Sequence, residues 1–160
     1  MFKNGDIRDV AIKRLKRYSD QRGWLIELFR QDELETVYYP VMSYISMTDP
    51  GIARGPHEHV EQSDLFGFIG PSTFQVHLWD NRKSSPTYMN KTIIRAGEID
   101  PMAILIPPGV VHAYKNVGNV VGMVVNFPNR LFMGKNRQDK VDEIRHENDP
   151  NTIYKMGETE

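Results

Sequence analysis

Short apolar runs rich in Val, Ile, Phe and Tyr recur along most of the chain with turn residues between them, and this punctuation constrains the fold more than any other feature. Residues 24–29 (WLIELF), 41–47 (VMSYISM), 64–70 (DLFGFIG), 74–79 (FQVHLW), 90–97 (NKTIIRAG), 102–107 (MAILIP), 109–118 (GVVHAYKNVG) and 120–127 (VVGMVVNF) are read as strands. Eight strands of this length suit a small closed barrel or jelly roll, so an all-β architecture is expected. Helix signals are weak. Residues 31–36 (QDELET) are expected to form one helical turn, and residues 141–150 (VDEIRHENDP) another in a short C-terminal segment packed outside the barrel.

A chain of 160 residues has the length of one ordinary domain, able to bury about two-thirds of its unfolded surface without a disulfide or metal staple. Neither a repeat, a low-complexity linker nor a shift of composition divides it, so residues 1–160 are read as a single unit. Cysteine is absent, which excludes thiol nucleophiles, zinc–thiolate sites and iron–sulfur ligation and fits a reducing compartment. The first 18 residues carry charges throughout and have no apolar core. They are expected to be neither a secretory signal nor an anchor, and a cytoplasmic location is expected. The 20 basic and 21 acidic residues are interspersed, with a net charge of −1, so no broad field would hold nucleic acid or an anionic membrane. Lys13, Arg14, Lys16 and Arg17 are read as the solvated face of an edge strand, where charge discourages sheet association.

The chemistry is concentrated in two stretches. Residues 51–70 contain His57 and His59, whose spacing in a strand points both imidazoles to one face. Residues 107–116 (PPGVVHAYKN) bring His112 after a Pro-x-Gly turn. Together they resemble the two motifs of the cupin superfamily. Gly-x5-His-x-His begins at Gly51 and its later acid is represented by Asp64, with Glu61 a poorer fit; Pro-x-Gly-x2-His-x3-Asn is complete from Pro107. The resemblance implies a double-stranded β-helix with the three histidines converging inside. His57, His59, His112 and Asp64 would suit one divalent transition metal, in an oxygenase or a sugar-phosphate isomerase. Without a metal, the same imidazoles would bind or deprotonate a ligand.

Over nearly its whole length the chain is also similar to the dTDP-4-dehydrorhamnose 3,5-epimerase family of nucleotide-sugar enzymes, cupins that work without metal. The similarity is carried by residues 20–29 (DQRGWLIELF), 53–59 (ARGPHEH), 80–88 (DNRKSSPTY), 106–114 (IPPGVVHAY) and 144–150 (IRHENDP). It implies that Arg22, Glu27 and Arg54 hold the nucleotide or the sugar, that His57 is the catalytic base and that His112 is a second barrel histidine. It also implies a homodimer, since the N-terminal strand has no evident partner in its own chain. Removing a proton next to a C4 ketone needs a placed base and donors for the enolate, and arginine forks suit a diphosphate.

The chain departs from that family at defined places. The family's proton-donating tyrosine aligns with Asn126, the lysine after the base aligns near Ser63, and the aspartate that orients the base falls past residue 160. Partial chemistry is therefore expected, with Asp64, Tyr114 or Asp149 as candidate substitutes and Tyr114 placed among the substrate contacts. The tract RGPHEH also resembles the dTDP-4-keto-6-deoxyglucose 3,4-ketoisomerases, in which both histidines move protons, so His59 joins His57, His112 and Asn126 as a candidate catalytic residue. A non-catalytic sugar-nucleotide binding module is the third reading. His77 and His146 are read as ordinary packing or surface residues.

Overall fold

In the computed structural model, which describes residues 1–157, the apolar runs become two facing sheets and a separate hairpin. One sheet has six strands in the order β1 (Lys3–Asn4), β9 (Asn90–Gly97), β8 (Thr73–Asp80), β11 (Val110–Asn116), β6 (Ala53–Glu58) and β13 (Ile144–Arg145). The other has five, in the order β2 (Ala11–Arg14), β10 (Met102–Ile106), β7 (Asp64–Phe68), β12 (Gly122–Asn126) and β5 (Tyr44–Thr48). β3 (Arg17–Asp20) and β4 (Gly23–Ile26) pair only with each other. All pairings are antiparallel except β1 with β9. This is the jelly-roll barrel of a cupin.

Side chains alternate along each strand, and here both faces find cover. Phe74, Val76 and Leu78 of β8 point between the sheets and pack with Phe66, Phe68, Ile104 and Val124. Trp79 and, on β11, Val111 and Ala113 point outward against Tyr154 and Phe2 from the two ends of the chain. Behind the five-stranded sheet, Leu65, Ala103 and Leu105 are covered by Leu15, Ile26, Leu28 and Phe29. Double coverage explains why β7 and β10 are buried at every position and read in the sequence as apolar runs rather than as an alternating pattern.

Two expectations need correction. The N-terminal strands do have partners: Lys3 pairs with Asn90, and β2 lies against β10, which places Lys13 and Arg14 on a sheet edge. The helical turn expected in residues 31–36 is present as a 3-10 turn, Gln31–Glu33, with a second at Thr36–Tyr38. The C-terminal segment has its expected helical turn, but it does not merely pack outside the barrel. Its strand β13 joins the six-stranded sheet, pairing Ile144 with Glu58 and Arg145 with His57, before a single 3-10 turn at His146–Asn148. The Asp142 carboxylate fixes this docking by accepting the backbone N–H groups of Val60, Glu61 and Gln62, each at 2.8 Å.

Candidate active site

The motif histidines meet because β6 and β11 are neighbours. His57 and His112 are register partners, with rings 6.2 Å apart, and His59 lies just beyond β6 with its ring 5.6 Å from that of His112. The register shifts between His112 and Tyr114, opposite Gly55. Gly55 has φ +88°, and a Cβ there would stand 2.6 Å from the His112 carbonyl oxygen, so the bulge that sets the two imidazoles side by side needs glycine.

Each histidine has its own electrostatic setting. Asp64, buried on β7 of the opposite sheet, lies 3.1 Å from His59 Nε2 and 3.6 Å from His112 Nε2. Burial opposes a charge on His59, but the hydrogen bond and charge of Asp64 outweigh it and raise its pKa to about 9, so His59 is an imidazolium near neutral pH. His59 Nδ1 also donates to the Asp142 backbone carbonyl, so neither ring nitrogen is free. His112 is enclosed, and burial holds its pKa down at about 4 despite Asp64, leaving it neutral. Burial pushes the Asp64 carboxyl up, but the neighbouring imidazoles and Asn126 pull it below the usual carboxylate range.

His57 differs from both. Its Nε2 lies 2.7 Å from Glu147 Oε1, and its Nδ1 lies 3.5 Å from Glu143 Oε1. Both carboxylates come from the C-terminal segment, Glu147 being 90 residues further along the chain. Sequence reasoning missed them because only the docking of β13 onto β6 brings them near. His146, 2.7 Å from Glu58 Oε2 on the outer face, helps hold that segment.

These side chains open on a cavity of about 1170 Å³. His57, His59, His112, Arg54 and Tyr114 all line it, as do Tyr44 and Ser46 of β5. Arg54 is steadied by Thr48 Oγ1 at 3.0 Å and the Met47 carbonyl at 2.8 Å, and the Tyr114 hydroxyl lies 2.8 Å from Ser46 Oγ. Arg130, Lys135, Arg137 and Lys140 line the mouth. Their density over eleven residues was the one sequence signal for this cationic rim. Asn126 is fully buried behind the wall, donating from Nδ2 to Asp64 Oδ1 at 2.7 Å and to the Tyr44 hydroxyl at 2.9 Å. Arg22 and Glu27 do not line the cavity: Arg22 is bound to Asp20 on the β3–β4 hairpin, and Glu27 faces Arg30. Among the described residues, the ligand atoms that could converge on a metal belong to His59, Asp64 and His112, within 4.8 Å of one another; His57 stands outside that group.

A jelly-roll barrel with an imidazole cluster at the floor of a cation-rimmed cavity defines a small-molecule cupin. Residues 4–137 match the family model for dTDP-4-dehydrorhamnose 3,5-epimerase, and the chain belongs to that family of sugar-nucleotide epimerases. Its relatives include a Haloferax volcanii protein named probable low-salt glycan biosynthesis epimerase Agl13, 36% identical over 79% of this chain and 81% of the relative. The Bacillus subtilis spore coat polysaccharide biosynthesis protein SpsL is 34% identical over 92% of this chain and 93% of its own length. Among solved structures, a dTDP sugar isomerase of Desulfovibrio desulfuricans G20 superposes with a TM-score of 0.79 over 92% of this chain and 90% of that one, at 19% identity, which shows the shared fold.

Proposed function

We propose that this enzyme epimerises a nucleotide-linked 4-keto-6-deoxy sugar, with dTDP as the expected nucleotide, in deoxysugar or surface-polysaccharide biosynthesis, and that it does so without a metal. The observation that carries this reading is the setting of His57 on the cavity wall. Glu147 takes Nε2–H, which fixes the tautomer and leaves the Nδ1 lone pair, on the side of the cavity-lining Glu143, as the proton acceptor. Nδ1 takes the proton on the carbon next to the ketone, and the C–H electron pair moves to the ketone oxygen as an enolate. The imidazolium of His59 and nearby donors stabilise the developing negative charge. Arg54 and the basic rim hold the diphosphate.

Two details favour epimerisation over migration of the ketone and over a metal site. Both nitrogens of His59 are engaged, so it supplies charge rather than a free base. Asp64 is already neutralised by that imidazolium and accepts from Asn126 and Gln62 besides. The same reading makes the enzyme a cytoplasmic homodimer, a single cupin unit per subunit. Among the described residues no helix is long and apolar enough to cross a membrane. The hairpin carrying Arg22 leaves Tyr18, Trp24 and Leu25 exposed, and neither Arg22 nor Glu27 reaches its own chain's cavity. In a dimer through this hairpin, those residues would serve the second copy. The test is incubation with dTDP-4-keto-6-deoxyglucose and identification of the product by NMR: an epimerised 4-keto sugar is expected, and binding without conversion would contradict the assignment.

A further inference from the structure

We propose that Tyr44 is the proton donor of this enzyme, delivering a proton to the enolate from the face opposite His57. The assignment rests on the epimerase reading above and adds to it the group that completes inversion.

Inversion at carbon requires a base on one face and an acid on the other. His57 comes from β6 in the six-stranded sheet and Tyr44 from β5 in the five-stranded sheet, and both line the same cavity. Alternation along β5 puts Tyr44 on the same face as Ser46, which bonds Tyr114, and Thr48, which bonds Arg54, and Tyr44, itself 44% exposed, lines the cavity, whereas Ile45 and Met47 point to the other face. Tyr44 is also the register partner of Asn126 on β12, so its hydroxyl and the Asn126 amide occupy one cross-strand position.

The hydrogen-bond directions there are determined. Asp64 is ionised and can only accept, so Asn126 must turn Nδ2 toward it; this leaves Asn126 Oδ1 buried without a partner. The other hydrogen of the same Nδ2 goes to the Tyr44 oxygen at 2.9 Å. Tyr44 is therefore an acceptor from behind, and its own O–H is free to point into the cavity. Burial of the hydroxyl holds Tyr44 well above the ordinary phenol range, so it carries its proton at neutral pH, while the bond from Asn126 works in the opposite sense and stabilises the phenolate left after donation. Tyr114, the other phenol of the cavity, is buried, and its hydroxyl already pairs with Ser46.

The step balances without a further reactant. His57 Nδ1 gains the proton of the C–H bond, whose electron pair forms the enolate. The enolate carbon then takes the Tyr44 proton on the opposite face, the O–H pair remains on the phenolate, and the ketone re-forms. Asn126 acts as a positioning residue.

The decisive comparison is wild type, Tyr44→Phe and Tyr114→Phe with dTDP-4-keto-6-deoxyglucose in heavy water, following both deuterium entry next to the ketone and formation of the inverted sugar. Tyr44→Phe should slow inversion at least ~100-fold while deuterium exchange with retention continues within a few-fold of wild type, and its thermal melt should confirm folding. Inversion by Tyr44→Phe within about threefold of wild type, or its loss in Tyr114→Phe but not in Tyr44→Phe, would overturn the assignment and leave the epimerase reading standing. Absence of exchange in the wild type would overturn both.

Discussion

Replacing Asp64 by Asn removes one negative charge and almost no volume from the floor of the barrel, so its effect can be worked out from the histidines it serves. The new carboxamide would still accept from Asn126 and Gln62 through its carbonyl oxygen, and its NH2 group would face His59 Nε2 and His112 Nε2. The lost interaction is the one that keeps His59 charged. In the fold its pKa stands at about 9, against 6.5 for an open chain, so the folded protein binds the His59 proton more tightly than the unfolded chain does. That contribution is complete below pH 6.5 and disappears as the pH rises through about 9. At about 1.36 kcal/mol per tenfold it amounts to roughly 3 kcal/mol. Urea unfolding measured from about pH 6 to about pH 9.5 should show the wild type losing stability steadily. Asp64→Asn should start lower by roughly 3 kcal/mol at the acid end of that range and converge with the wild type at the alkaline end. An NMR titration should put the His59 ring at about 9 in the wild type and below 6.5 in the variant. Parallel stability curves with a constant offset would refute the coupling between Asp64 and His59.

Other consequences can be checked independently. His112 is held neutral with a pKa of about 4, so its contribution is present above pH 6.5 and is lost as the pH falls toward 4; His112→Gln should flatten the acid limb of the wild-type stability curve. Gly55→Ala should destabilise the fold by about 2 kcal/mol or more in thermal unfolding, because the new Cβ meets the His112 carbonyl at a positive φ, and unchanged melting would refute the need for glycine in the bulge. Elemental analysis of purified protein should find no stoichiometric transition metal, and one ion per chain that is lost in His59→Ala would reverse the metal-free proposal. Sedimentation at micromolar concentration should give a dimer that Trp24→Asp dissociates; a wild-type monomer would count against the role given to the hairpin.

The barrel was legible where the chain is apolar. Strands β7, β8, β10 and β11 coincide with runs of Phe, Ile, Leu and Val because both faces of those strands find cover. Strands β1, β2, β3 and β13 are short, exposed and charged, and only their pairing partners define them. The histidines were legible because a period of two and a Pro-x-Gly turn fix their faces locally. Glu143 and Glu147 were not, since they meet His57 only through the docking of β13, and a charged stretch such as VDEIRHENDP reads equally well as a surface turn. Tyr44 was hidden for a related reason: its place beside Asn126 is a cross-strand relation between residues 82 apart.

His57 is proposed to remove a proton next to the ketone of a nucleotide-linked sugar. The most direct test is NMR of dTDP-4-keto-6-deoxyglucose incubated in heavy water with the wild type and with His57→Asn. The wild type should introduce deuterium at a carbon flanking the ketone, and His57→Asn should lose that exchange by about 100-fold or more while still binding the nucleotide, because the diphosphate is proposed to be held by the arginines rather than the imidazole. Undiminished exchange in His57→Asn would rule His57 out as the base.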